Sequence, residues 1–344
     1  MAMTSKVLFF AILFPILSFT QTLKGTILDA STNKPLETVA VYFDNTTIGT
    51  TTDAKGQFSI DYSDAIQSPL IISYLGYKKV TIRDYRTKRN ITIKLNPTDV
   101  SLDEVFLEFD DGLTRKQKLR LFRKEFLGTS KYGKSCKILN EKDIVLRYDK
   151  NGKTLYASAD KPIIINNRAL QYQISFDIID FEAQYRYANL EEQDFALDRV
   201  AYAGTSYYKN LDKAQRRSTK RRREKAFKGS VQHFMRTLYQ KKLEEEKYEI
   251  YNKGFEVDAY KYFLINQKED TDFKEVSLKQ KVSILYDKRE QSDMEIYVDS
   301  FLVDAYGNYS AIKGVYFNGA MGSQRMGDTL PLDYGLNSKT KTQN

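Results

Sequence analysis

From Thr22 to Leu95 apolar residues recur at every second position in short runs, as in Val39, Val41 and Phe43, or Phe58, Ile60 and Tyr62. Period two is the spacing of a strand with one buried face. Strands are predicted over Thr22–Asp29, Leu36–Phe43, Thr47–Thr52, Gly56–Tyr62, Pro69–Tyr74, Lys79–Arg83 and Ile91–Leu95. Turn residues separate them at Asn33–Pro35, Asp53–Gly56 and Gly76. Seven short strands over residues 21–97 predict an all-β sandwich.

The pattern then changes. Leu119, Phe122 and Phe126 are spaced +3 and +4 within Thr114–Leu127, with basic residues between, so a helix capped by Thr114 is expected. Period two returns at Ile144–Tyr148, Leu155–Ser158, Ile163–Ile165 and Leu170–Glu182, and again at Val276–Tyr286, Glu295–Val303 and Gly314–Phe317. Residues 114–336 therefore read as one α+β domain, largely antiparallel, with a helical insertion near 211–247. Residues 98–113 read as a linker and the polar run 337–344 as a disordered tail.

The first twenty residues have the layout of a secretory signal. Lys6 precedes the apolar run Val7–Leu17, and the small residues Ser18 and Thr20 precede Gln21. That run is shorter than the roughly 20 residues of a membrane-spanning helix. An exported protein is expected, in the periplasm, at the outer membrane or outside the cell, with no transmembrane span after cleavage. Cys136 is the single cysteine, so no intrachain disulfide is available, and none sits at the signal's end for acylation. Its surroundings, KSCKIL, suit a buried apolar role.

The segments KGTILDASTNKPLETVAVYFDNTTIGTTTDAKGQFSI and LIISYLGYKKVTI carry a recognisable pattern: G-x-I-x-D, then P-L-x-x-V-x-V, then G-T-x-T-D-x-x-G-x-F, then S-Y-x-G-Y. This resembles a carboxypeptidase regulatory-like domain, over about a quarter of the chain. The resemblance implies a transthyretin-like (prealbumin-like) sandwich without catalytic residues, of a kind that recurs in envelope proteins of Bacteroidetes-type bacteria. Leu102–Val105 resembles the segment after this domain in TonB-dependent receptors. A receptor barrel of 22 strands at about 9–11 residues each, with its loops and plug, needs more residues than the chain has beyond Gly112. The receptor reading is rejected. Further on, FRKEFLGTS, CKILN, YASADKPIIINNRALQYQISFDI and RRREKAFKGSVQHFMRTL resemble larger Bacteroidetes proteins named only for the same module, over Arg115–Phe255. That match implies a family-specific C-terminal domain and no activity.

Charge alters the picture in one place. The chain has 54 Lys+Arg against 45 Asp+Glu, net +9. Lys6 leaves with the signal, and residues 209–228 hold ten basic residues against Asp212 and Glu224, so this window equals the mature surplus. On one continuous helix Arg222, Lys225, Gly229, His233, Arg236 and Gln240 form a stripe apart from Phe227, Val231, Phe234, Met235 and Leu238. Arg222, Lys225, His233 and Arg236 are thus the candidate anion site, for a phosphate, a carboxylate or a lipid headgroup. The same residues also suit a solvated basic face, and Gly229-Ser230 is a candidate helix break with Ser230 as a new cap.

Other chemistries find little. One histidine, without HExxH, excludes the usual His-ligated zinc sites, and His233 has no Gly-x-Ser-x-Gly partner. Ser158-Ala159-Asp160-Lys161 matches Ser-x-x-Lys without companion motifs. Nucleic acid is not expected, because the basic window lacks interleaved aromatics and the protein is exported. No catalytic residue, metal or cofactor is assigned. The expected function is a non-catalytic cell-envelope protein with a binding or structural role, an accessory at the outer membrane. Its expected partners are an envelope protein, a lipid headgroup or a glycan. Two alternatives stay open: an anion- or headgroup-binding module using the basic helix, and an envelope-polymer hydrolase acting through paired carboxylates in a cleft.

Overall fold

The computed structural model describes residues 20–63, 67–98, 111–269, 271–311 and 314–336. The expected signal, most of the linker and the polar tail lie outside the described residues. Among those described, no helix is long and apolar enough to cross a membrane.

The N-terminal unit contains β1 (Thr20–Asp29), β2 (Ala40–Phe43), β3 (Gly49–Thr51), β4 (Gln57–Ser63), β5 (Leu70–Ser73), β6 (Val80–Ile82) and β7 (Asn90–Leu95). They form two sheets, ordered β4-β1-β7 and β3-β2-β5-β6. β1 and β7 run parallel, and the other pairs are antiparallel. The period-two residues Val39, Val41, Phe43, Phe58, Ile60 and Tyr62 meet between the sheets with Leu23, Ile27, Ile72 and Ile93. Motif residues have visible tasks. Asp53 accepts the amides of Lys55 and Gln57, and Gly56 closes that turn at φ +69°, where a Cβ would stand 2.5 Å from the Ile27 carbonyl. Asp29 accepts Ser31 and Thr32 amides and the Tyr77 hydroxyl at 2.6 Å. The Tyr77 bond chiefly holds its carboxyl down to about 2.

Residues 111–210 build a second unit. Its helix α1 (Arg115–Phe122) has the expected Thr114 cap as a capping box with Gln117, and continues into a π turn over Arg123–Leu127. Then come β8 (Cys136–Ile138), β9 (Val145–Asp149), β10 (Thr154–Ser158), β11 (Ile163–Asn167), β12 (Tyr172–Asn189) and β13 (Asp194–Asn210). The antiparallel sheet runs β8-β11-β12-β10-β9, with β13 on the other side of β12. Irregularities between Ile178 and Asp180, and around Tyr185, break the regular pairing of this long hairpin. Phe122 and Phe126 stack at 4.9 Å and pack on Phe181, so the helical stripe covers the sheet.

A bridging helix α2 (Arg217–Phe227) leads to a third unit: α3 (Val231–Gln240), β14 (Tyr248–Asn252), β15 (Phe255–Glu256), α4 (Ala259–Tyr262), β16 (Phe263–Gln267), β17 (Lys274–Leu278), β18 (Val282–Tyr286), β19 (Glu290–Ile296), β20 (Phe301–Val303), β21 (Val315–Asn318) and α5 (Gly319–Gly322). Antiparallel sheets β15-β14-β18-β19-β21 and β16-β17-β20 share a core with Phe234, Met235 and Leu238 of α3. Where one α+β domain was expected over 114–336, the region is mostly β and has two separate apolar clusters. The helical insertion is the joint between them. Periodicity reports which face of a strand is buried; it does not report which strands share a core.

Two devices weld the units together. In the β2–β3 turn the Asn45 amide donates to the Ser206 carbonyl, and the Tyr208 amide donates to the Thr46 carbonyl. The chain after α5 then returns across the molecule. Met326 and Leu330 enter the middle core, while Leu332, together with Tyr306 from the third unit, enters the N-terminal core.

Candidate functional site

The basic segment does not form one helix. α2 ends at Phe227, and Gly229 follows at φ +78°. A Cβ at Gly229 would stand 2.6 Å from Glu290 Oε2 and 2.9 Å from the Tyr286 ring, so the chain turns close against the β18–β19 hairpin. Ser230 then caps α3 by accepting the His233 amide. The break that Gly229-Ser230 offered is the one the protein uses.

The four expected anion ligands separate as a result. The Arg222 side chain donates to the Ala169 carbonyl at 2.6 Å and to Thr219 Oγ1, against the middle unit. Lys225 is exposed. His233 is buried, and its Nδ1 receives the Gly229 amide at 3.2 Å and lies 2.8 Å from the Tyr248 hydroxyl. Its Nε2 is 3.5 Å from Glu246, yet burial dominates and pushes its pKa below the ordinary histidine value. Arg236 is buried and donates to three main-chain carbonyls: Tyr306 at 2.8 Å, Tyr334 at 2.6 Å and Leu332 at 2.5 Å. It also lies over the Phe227 ring at 4.9 Å. Burial lowers its pKa to about 10, so it stays charged at neutral pH. The expected common site is thereby corrected. Arg222 and Arg236 spend donors on peptide carbonyls, His233 is a neutral core group, and only Lys225 presents its charge to solvent.

Arg223, one of the ten basic residues of 209–228 and not among the expected anion ligands, belongs with them. It is buried over the Tyr172 ring at 3.6 Å and donates to Leu170 and Gln171 carbonyls and to Asn210 Oδ1. A signal for this was available: Arg223 lies four residues before Phe227, on the side of the helix that must face the sheet.

The other eight basic residues of 209–228 are exposed. α2 faces the β18–β19 turn across an open cleft of about 360 Å³. Arg221, Lys225, Lys228 and Arg289 line it together with Tyr286 and the carboxylates Glu224, Asp287 and Glu290. Lys228 stands 3.8 Å from Glu224, and Asp287 pairs with Lys247 at 2.9 Å, so the cleft is of mixed charge. Outside the cleft, α2 also exposes Arg217 and Lys220.

Paired carboxylates in a cleft would mark a hydrolase. Desolvation raises the carboxyls of the half-buried Asp44 and the buried Asp304, each to about 6, and that of the half-buried Asp328. They sit on three different parts of the fold. Each accepts main-chain amides: Asp44 that of Ser206, Asp304 those of Tyr306 and Asn308, and Asp328 that of Arg325. Cys136, expected to be buried, is partly buried against the middle core, and desolvation pushes its thiol up to about 12. Among the described residues no group of three or more His, Cys, Asp or Glu side chains is placed to hold a metal ion.

Fold and turn chemistry define a β protein led by a regulatory-like module. Residues 23–107 match the family model of the CarboxypepD_reg-like domain, a regulatory rather than catalytic type. No curated protein matches the chain. Among solved structures, a 9R-lipoxygenase from Cyanothece PCC8801 is similar at 13% identity over 69% of this chain and 50% of that one, with a TM-score of 0.19. This chain thus spans about half of the lipoxygenase. A protein of unknown function from Bacteroides fragilis NCTC 9343, provisionally described as membrane-associated, is similar at 11% identity over 84% and 98%, with a TM-score of 0.19.

Proposed function

We propose that this chain is an exported, non-catalytic protein of a Bacteroidetes-type cell envelope, with a transthyretin-like N-terminal module and a binding or structural role at the outer membrane. One observation carries the reading. The half-buried Arg222 and the buried Arg223 and Arg236 end mainly on peptide carbonyls and tie the units into one body. Buried cationic chemistry therefore serves rigidity, and outward faces are left to make contacts. The test is fractionation of cells producing the full chain with its own leader. A shortened chain in the outer-membrane fraction is expected; the uncleaved chain in the cytoplasm overturns the reading.

A second reading, contact with an anionic headgroup surface, draws on the eight exposed cations of residues 209–228 against two acids. Flotation with phosphatidylglycerol vesicles but not phosphatidylcholine vesicles, lost on combined Lys220→Ala, Arg221→Ala and Lys225→Ala substitution, is its expected signature. These side chains are exposed, so the test leaves the buried arginine joints intact.

A further inference from the structure

The hairpin between β14 and β15 closes on two residues, Lys253 at φ +52° and Gly254 at φ +84°. Positive φ at both centres makes the tight turn whose twist matches paired strands. The turn stands free: a Cβ on Gly254 would meet no atom within 4 Å. Phe255 opens β15 opposite Asn252 and is 76% exposed, the highest value among the exposed large hydrophobic residues described. Ile250 and Val257, facing each other on the same two strands, point to the core. Alternation puts Asn252 and Phe255 on that side too, but past the end of the core. The Phe255 ring therefore projects from the tip of the third unit.

A second tip stands beside it. The turn Lys279-Gln280-Lys281 joins β17 to β18, β18 pairs with β14, and Asn252 Nδ2 donates to the Lys281 carbonyl at 3.0 Å. Lys253, Lys279 and Lys281 are all exposed. Lys281 stands 3.8 Å from Asp293, while Lys253 and Lys279 enter no ion pair with a described residue. The acids nearby are turned away or engaged. Glu256 pairs with Tyr251 and so points to the opposite face from Phe255. Asp258 caps α4 through the Tyr260 amide and stands 3.9 Å from Lys261. Between the two tips lies an open groove of about 280 Å³, lined by Lys253 and Lys281 among others.

We infer that these paired tips dock on an anionic phospholipid bilayer, with Phe255 seated among the headgroups and the three lysines on the phosphates around it; the inference rests on the reading of a protein that works at a membrane, and adds a contact on a different element from the basic helix. An apolar group gains by leaving water for the headgroup and acyl boundary, roughly 5–10 Å deep, and lysines beside it are drawn by the negative surface potential. Charge selects the occupant: a ring set among three exposed lysines repels a cationic partner and meets an anionic one. Size selects it too. A stable protein interface takes roughly 800 Å² on each partner, and one ring on a two-residue turn offers far less. A bilayer accepts a single side chain.

The chain has no tryptophan, so Phe255→Trp in the full chain supplies a single reporter. With vesicles of phosphatidylglycerol and phosphatidylcholine its emission is expected to shift to the blue and to be quenched by bromine on the acyl chains. Pure phosphatidylcholine should leave it unchanged, and added salt should reverse the shift. Adding Lys253→Glu, Lys279→Glu and Lys281→Glu should weaken the apparent affinity at least about tenfold. These side chains are exposed, and an unchanged urea midpoint would show the fold intact. No shift on phosphatidylglycerol, a shift that survives the triple substitution, or an equal shift for Tyr187→Trp, an exposed site in the middle unit, would each overturn the inference. Combining Phe255→Trp with the three alanine substitutions on α2 keeps the two membrane contacts apart. A shift that persists there supports the tip without the helix, whereas flotation without any shift at position 255 leaves the helix standing and refutes the tip. Neither result depends on where fractionation finds the chain.

Discussion

Replacing Arg236 by Met would strand three main-chain carbonyls at once, those of Tyr306, Leu332 and Tyr334. Each buried acceptor left without a donor costs roughly 1–3 kcal/mol, so a loss of about 3 kcal/mol or more is expected in urea unfolding. Arg236→Lys should recover only part of it, because an ammonium cannot reproduce the planar fork that meets three carbonyls. His233 contributes with a definite pH sign. Its folded pKa lies below the unfolded value of 6.5, so the unfolded chain takes up the proton first as pH falls. The stability from neutral His233 is therefore full above that value and is lost on acidification. The stability difference between the wild type and His233→Gln should shrink from pH 7.5 to pH 5.5, which paired denaturant titrations would read.

At the scale of the element, the joint between α2 and α3 decides what the basic segment is. Gly229→Ala places a Cβ against Glu290 and Tyr286 at positive φ, so a loss of about 1–2 kcal/mol is expected, seen as a lower urea midpoint with an unchanged slope. A joint read only from helical periodicity would tolerate or favour alanine there. Thr114→Ala should cost about 1 kcal/mol, because the capping box with Gln117 satisfies helix-terminal groups of α1. That cap was legible from residue type alone. So was the apolar stripe of α3, since Phe234, Met235 and Leu238 are fully buried. The fate of the charged residues was not legible. Arg221 and Arg223 are chemically identical and separated by a single residue, and the sheet packed against α2 buries only one of them.

At the scale of the molecule, the returning C-terminal stretch acts as a strap. Leu332 sits in the N-terminal core and Leu330 in the middle one. A chain ending before Leu330 should lose that seam, and limited proteolysis should then release the N-terminal unit sooner than from the full chain. Asp44 and Asp304 also belong to this seam: Asp44 accepts the Ser206 amide across it, and Asp304 shapes the turn that carries Tyr306 into the N-terminal core. Burial raises both to about 6, above the unfolded value of 3.8, so their ionisation opposes folding above the folded value. That opposition fades as pH falls from about 6 to about 4, the reverse of the His233 effect. Asp304→Asn should reduce the gain in stability between pH 7.5 and pH 5.

The sequence by itself determined local structure. Period-two runs, turn residues at Asp53 and Gly56 and the caps at Thr114 and Ser230 depend on a few neighbouring residues, so strands, turns and helix starts could be read from them. The motif that defines the N-terminal module is made of the same short-range demands. Which strands share a core is a matter of long-range packing, and only the tertiary structure decided that residues 114–336 form two clusters and that Tyr306 and Leu332 join a third. The same holds for the basic segment. Whether a cation meets water or a buried carbonyl depends on what packs against it, and that neighbour can lie 70 residues or more away, as Tyr306 does from Arg236.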